Sequence, residues 1–323
     1  LFPYTTLFRS VTGFGADDGP PVLIATLKAG GNITLTATGA GKDSDITVQG
    51  SDLIAGNNVT LRAEDEIKLL AAADTASQRS TNSSSSASVG ISYGTDGLLV
   101  NVGASGSKGK ANGNDLAWNN THVSAGNIVT LVSGTDTTLK GAVVSGEKVV
   151  ANVGTSGYGN LVIESLQDQS TYDSKQQSAG VSVSVGMGRM SGSVSFSQST
   201  INSDYASVTE QSGIKAGDGG FEVKVKGDTT LTGGVITSTQ KAIDDEKNQF
   251  STDGTLTVTD IQNKAEYTAK STSVNVGSSM SFSGELKPGG TSAGFGKDSD
   301  EANSTTKGGI SGVAGNTTVR TGD

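Results

Sequence analysis

The residues that could do chemistry in this 323-residue chain are few and scattered. His122 is the sole histidine and there is no cysteine, which excludes a multi-histidine metal site and a thiol nucleophile and leaves a catalytic triad only this one ring. We read His122 as a polar turn residue. The tetrapeptide Lys-Asp-Ser-Asp occurs twice, at Lys42-Asp43-Ser44-Asp45 and Lys297-Asp298-Ser299-Asp300. Such paired carboxylates can hold Ca²⁺, but the Asp/Gly nonapeptides of calcium-binding rolls are missing, so charged turns at a solvated rim are expected. Asp244-Asp245-Glu246 reads as a solvated acidic loop. A polysaccharide-cleaving face would need carboxylates on equivalent rungs with a base or cation nearby, and no such cluster is written here. The expectation is no catalytic site, no cofactor and no metal.

Composition narrows the partners. Lys and Arg total 23 against 32 Asp and Glu, a net charge of −9, which argues against nucleic acid or an anionic lipid surface. One Trp, six Tyr and eight Phe are too few for a base-stacking or sugar-gripping surface. Lack of cysteine removes disulfide staples and suits a product that crosses membranes unfolded, or, as the plainer alternative, one that stays in a reducing cytosol. No run of 18 apolar residues is present, so no transmembrane helix is encoded. Nor does the start read as a signal peptide, with Arg9 its one cation. Residues 1–10 match nothing downstream and read as an assembly scar, within a non-native-looking or disordered lead over 1–21.

The remaining chain is organised by two recurring phrases. The first is a small-residue turn feeding a short β-branched strand, seen at Ala55-Gly56-Asn57-Asn58-Val59-Thr60, Ala125-Gly126-Asn127-Ile128-Val129-Thr130, Ala216-Gly217-Asp218 and Ala314-Gly315-Asn316. The second is a Ser/Val/Gly ribbon, Ser88-Val89-Gly90, Ser184-Val185-Gly186 and Asn275-Val276-Gly277. Val89, Val185 and Val276 are spaced by 96 and 91 residues, and Gly126, Gly217 and Gly315 by 91 and 98. Two signals with one long period mean an array of duplicated modules. Strict alternation in the ribbons predicts amphipathic hairpins, and the absence of helical periodicity makes the chain all-β. Asp65–Ala73 has strong helix formers, but its place in the repeat favours strand.

The expected division is β-helix turns over 22–76, a hairpin ribbon over 77–120, turns over 121–177, a ribbon over 178–212, turns over 213–270, a ribbon over 271–308, and a truncated final turn over 309–323. Asn32, Asn57, Asn127 and Asn316 are candidates for turn positions where an amide bonds along the stack or tolerates a left-handed backbone. Val181, Val183, Val185, Val194 and Phe196 fall on one face of the middle ribbon. The small Ser and Gly faces are expected to let the ribbons lie back on the β-helix.

These phrases resemble the haemagglutinin repeats of filamentous-haemagglutinin-type exoproteins, and are close to the second repeat region of contact-dependent growth-inhibition proteins. The resemblance covers about residues 22–323. It implies a right-handed parallel β-helix, here with three interspersed antiparallel β-hairpin ribbons. It also implies two-partner secretion to the surface of a Gram-negative bacterium, flanking repeats of a parent protein, and a role in adhesion or toxin delivery. A target-cell receptor or outer membrane would then be the partner. Two other readings compete: a membrane-active translocation module acting through the hairpins, whose nine-residue alternation matches a barrel strand, and a β-helical polysaccharide-acting enzyme or tailspike.

Overall fold

The computed structural model describes residues 22–23, 26–94 and 97–313. The expected lead over 1–21, the ribbon turn at Thr95-Asp96 and the turn carrying Asn316 lie outside the described residues.

Short strands rich in Ile, Val, Leu and Thr coil into a parallel solenoid. One wall is a seven-stranded parallel sheet in the order Val22–Leu23, Ile46–Gln49, Ile67–Leu70, Thr137–Lys140, Leu161–Glu164, Thr229–Thr232, Leu256–Thr259. The others form an eleven-stranded sheet, tied together by the long strands Ala142–Val153 and Gly213–Val225. Alternate residues point inward, so each strand reads buried, half-exposed, buried, as in Val59–Ala63 and Leu161–Glu164.

Parallel register turns those inward residues into columns. Ile33, Val59, Val129, Val149 and Phe221 lie one above another. A second column runs Leu53, Val123, Val144, Ile214, Ile236, Ile310, and a third Val48, Leu69, Leu139, Ile163, Leu231. All of these residues are buried, and each large side chain stabilises the coil by about 1.5–3 kcal/mol relative to the exposed state. The core is therefore narrow and continuous along the rod. Segment Asp65–Ala73 is strand from Ile67 to Leu70, because Ile67 and Leu69 are needed inside. One short helix, Gln240–Asp244, is capped by Thr239, whose hydroxyl accepts from the Ala242 N–H at 3.3 Å. Asp244 thus ends a helix, and Glu246 turns the chain with φ of 53°. No helix among the described residues is long and apolar enough to cross a membrane.

Among the described residues three antiparallel hairpins leave the rod, formed by Ala72–Gly94 with Gly97–Asn119, Asp168–Gly186 with Arg189–Ser207, and Ile261–Ser281 with Leu286–Thr306. They start 5, 10 and 10 residues upstream of the expected ribbon starts, because the less regular segments at their bases, such as residues 72–76 and 261–270, are also paired strand. The hairpins are not laid on the rod. They join one another edge to edge, the first hairpin's return strand to the second's outgoing strand and the second's return strand to the third's outgoing strand, in a single six-stranded sheet. Two rungs of the seven-stranded wall lie between one hairpin and the next. Strands stack ~4.8 Å apart in both structures, so two rungs and one two-stranded hairpin advance by the same ~10 Å, and successive hairpins meet without strain.

Candidate functional site

The chemistry-bearing residues are dispersed by the fold. Lys42-Asp43-Ser44-Asp45 includes a single 3₁₀ turn over Gly41–Asp43, with Asp43 exposed. Asp45 instead turns inward, where Oδ1 accepts from the Glu66 N–H at 3.0 Å and Lys68 Nζ lies 3.8 Å away. Burial raises the Asp45 carboxyl above its usual range, although the Glu66 N–H and Lys68 pull the other way. Lys297-Asp298-Ser299-Asp300 belongs to the third hairpin's return strand, where successive side chains alternate faces in solvent. Among the described residues no three His, Asp or Glu side chains gather as a metal group would require.

His122 is in a rod strand, Thr121–Ala125, rather than a turn. Its Nδ1 faces Asp52 Oδ1 at 2.9 Å and its Nε2 faces Glu210 Oε2 at 2.9 Å. Asn120 donates to the same Glu210 Oε2 at 3.1 Å. Asp52 is on the preceding rung and Glu210 is where the second hairpin rejoins the rod, so the ring clasps two chain segments. Nothing in the sequence placed these three together, since 70 and 88 residues separate the partners from His122.

The asparagines form a ladder. Asn57 Nδ2 donates to Asn32 Oδ1 at 2.9 Å, Asn127 Nδ2 donates to Asn57 Oδ1, and the Asn58 N–H donates to Asn32 Oδ1 at 3.1 Å. Their amides bond along the stack, and none of them has a positive φ. Beside them Gly56 and Gly126 allow a close backbone approach: a Cβ on Gly126 would stand 2.3 Å from the Gly56 carbonyl oxygen. A second ladder joins residues that are far apart in the sequence. Asp136 Oδ1 accepts the Asn160 N–H at 2.7 Å, Asn160 Oδ1 the Asp228 N–H at 2.9 Å, and Asp228 Oδ1 the Thr255 N–H at 2.7 Å. Its signal was an Asx residue directly before each strand, at Asp136-Thr137, Asn160-Leu161 and Asp228-Thr229.

Among the described residues, most of the exposed large apolar side chains lie on the hairpin sheet. Val181 is opposite Val194 and is flanked by Ala104, while Val194 is flanked by Val276. Phe196 lies between Ala179 and Val274, Val183 between Val102 and Gly192, and Val185 between Val100 and Met190. All five ribbon residues therefore share one face, with rows such as Ile91, Val100, Val185, Met190, Met280 and Leu286 crossing all six strands. The apolar part spans roughly 24 Å by 27 Å. It is open to solvent, Val89 being 76% exposed and Tyr93 85%, and is at the upper end of what monomers usually expose. The opposite face is serine and glycine, with Ser–Ser hydroxyl pairs at 2.7 Å for Ser84 and Ser107, Ser86 and Ser105, Ser178 and Ser197, and Ser182 and Ser193.

The hairpin bases are stitched to each other. The Trp118 N–H donates to Asp168 Oδ1 at 2.7 Å, Gln167 Nε2 donates to the Gln262 carbonyl at 2.7 Å, and Gln211 Nε2 donates to the Lys307 carbonyl at 2.6 Å. The arrangement offers a rigid amphipathic sheet on a rigid rod.

Comparison with known proteins follows the same lines. A family model described as hemagglutinin repeat matches residues 24–179. A "Toxin CdiA" of Escherichia coli is 44% identical over 271 residues, 80% of this chain and 8% of the relative. A "Deoxyribonuclease CdiA" of Dickeya dadantii is 40% identical, covering 68% of this chain and 7% of that protein. A "tRNA nuclease CdiA" of Escherichia coli strain NC101 is 37% identical, covering 82% of this chain and 8% of that protein. The chain thus spans less than a tenth of these relatives' length. No solved structure matches. From the repeat geometry, the family match and these identities, the chain belongs to the hemagglutinin repeat family, as a structural segment of that repeat.

Proposed function

We propose that this chain is a stalk segment of a large exoprotein secreted to the surface of a Gram-negative bacterium, where it carries the parent's toxic activity toward a neighbouring cell without contributing catalysis itself. The observation that carries this reading is the common register of rod and hairpin sheet, which makes a stiff spacer that can be lengthened or shortened by whole modules. The names of the relatives, toxins and nucleases of which this chain matches less than a tenth, support an activity located elsewhere in the parent. Flanking repeats of that parent would continue both rod and sheet.

The test is excision of one whole module. Removing the stretch equivalent to residues 71–164 from a contact-inhibiting parent joins Leu70 to Ser165 and shortens the rod by two rungs. Surface display and inhibition of neighbours should both survive. Retained display with lost inhibition overturns the spacer reading.

A second reading rests on the apolar face. A sheet with Val, Ile, Met and Phe on one side and Ser and Gly on the other suits contact with the outer membrane of a target cell. Mixing the purified chain with intact Gram-negative cells and with vesicles of their outer membrane separates the two. Protease protection of 85–104, 179–196 and 274–293 on vesicles supports membrane contact, whereas binding to cells alone supports a protein or glycan receptor.

A further inference from the structure

We propose that the apolar face of the hairpin sheet docks on a membrane surface rich in anionic phosphate headgroups, and that a row of lysines at the margin of this face holds those phosphates. The proposal rests on the membrane-contact reading and adds to it the class of lipid. One row crosses all six strands as Thr81, Lys110, Lys175, Thr200, Lys270 and Lys297. Alternation with period two places these side chains on the apolar face, whose Ala179, Phe196 and Val274 row lies roughly 14 Å nearer the hairpin tips.

Two features of the row point to a bound anion. Lys110 stands directly opposite Lys175, and Lys270 directly opposite Lys297, and like charges so placed destabilise a sheet. All four are exposed, and among the described residues none of them is in an ion pair, whereas Lys264, nearer the base of the same face, pairs with Asp204. The charges are also ordered along the strands. On the tip side of the row the described strand residues of this face carry one further charge, Lys108, while the acids Asp173, Asp204, Glu266 and Glu301 are all on the base side. The sum of −9 over the chain therefore conceals a locally cationic band. Apolar rows, then lysines, then mixed charge is the order in which a membrane presents acyl chains, phosphates and water. A sheet leaning apolar side down with its base raised meets those layers in that order and keeps its acids clear of the surface. Lysine stems lie along apolar surface while their ammonium groups reach the phosphates, and the serine and glycine face stays in water.

The test is flotation of the purified chain with vesicles of phosphatidylcholine alone and of phosphatidylcholine with about one-third phosphatidylglycerol. The unmodified chain should bind the anionic vesicles far more tightly, and the preference should fall as salt screens the lysines. A variant carrying Lys110→Gln, Lys175→Gln, Lys270→Gln and Lys297→Gln should lose roughly fivefold of that affinity per lysine, on the order of several hundred-fold in all. A charge-matched variant with Lys28→Gln, Lys42→Gln, Lys215→Gln and Lys307→Gln, all outside the hairpin sheet, should bind as the unmodified chain does. Because the row variant removes two opposed like-charge pairs, its denaturation midpoint should hold or rise, which separates lost binding from lost folding. Equal affinity of the unmodified chain for the two vesicle types, or equal losses in the two variants, overturns the lysine row and leaves membrane contact standing. Binding to neither vesicle overturns both.

Discussion

Leu70 and Glu164 stand two rungs apart in one column of the rod, and each lies a few residues before a hairpin departs. Because both columns and hairpin rows keep the same offset, the solenoid decides which face of the sheet each ribbon residue occupies. Inserting one residue after Ser165 should turn Val181, Val183 and Val185 to the serine face, since side chains alternate with period two. Amide exchange along both seams of the second hairpin should speed up, while a two-residue insertion should restore much of the protection.

Gly126→Val tests the close backbone approach at the turn column. The added Cβ would meet the Gly56 carbonyl oxygen at 2.3 Å, so the neighbouring rung must shift, at a loss of about 1–3 kcal/mol. Chemical denaturation should show a lower midpoint, with the greatest local loosening between 56 and 60 and between 126 and 130.

Leu131→Ala empties the middle of a column in which Leu61 lies below and Ala151 above. The small neighbour at Ala151 offers little to refill the space, so a loss of about 3–5 kcal/mol is expected. Unfolding followed by far-ultraviolet circular dichroism measures it.

Two carboxylates should act on stability in opposite senses with pH. Burial raises Asp45 above its ordinary range, so the folded chain holds that proton more tightly than the unfolded chain does. Its contribution is fully present below the unfolded value and is lost as pH rises through the folded one. Asp45→Asn should therefore stabilise at neutral pH while still accepting the Glu66 N–H, and the gain should vanish in acid. Glu222 is held low by its hydrogen bond from Lys224, 2.7 Å away, with Lys148 adding to it. Its contribution is present above the unfolded value and is lost as pH falls through the folded one, so Glu222→Gln should destabilise at neutral pH and have no effect in acid. Denaturation midpoints across pH 2–8 report both.

Removing the His122 ring should loosen the base of the second hairpin. Its partners Asp52 and Glu210 are about two-fifths exposed, so His122→Ala should cost about 1 kcal/mol or less overall. Faster exchange should be confined to 119–122 and 208–212, and a double-mutant cycle with Glu210→Gln gives the coupling.

Much of this architecture was legible because its determinants are local. Alternation of Val with Ser marks a strand with two unlike faces, Gly-Asn marks a tight turn, and recurrence near 90 residues marks an array. Register was less legible. Matching Val89, Val185 and Val276 by their following glycines gives offsets of 96 and 91, whereas the sheet aligns Val89 with Val183, and Val181 with Val276. Those glycines lie toward the hairpin tips, and hairpin arms of 23, 19 and 21 residues put the tips at different heights. Pairing is set from the base, where each hairpin leaves a rung.

The clasp of His122 and the Asp136, Asn160 and Asp228 ladder were hidden because their members are neighbours only across rungs. The sequence by itself determined which residues face inward, since burial of Val, Ile and Leu along a narrow coil requires period-two alternation. Only the tertiary structure decided that the three hairpins join into one sheet rather than lying on the rod. That outcome depends on two rungs and two hairpin strands occupying the same length along the axis, a match of hydrogen-bond spacing that no single stretch of residues contains.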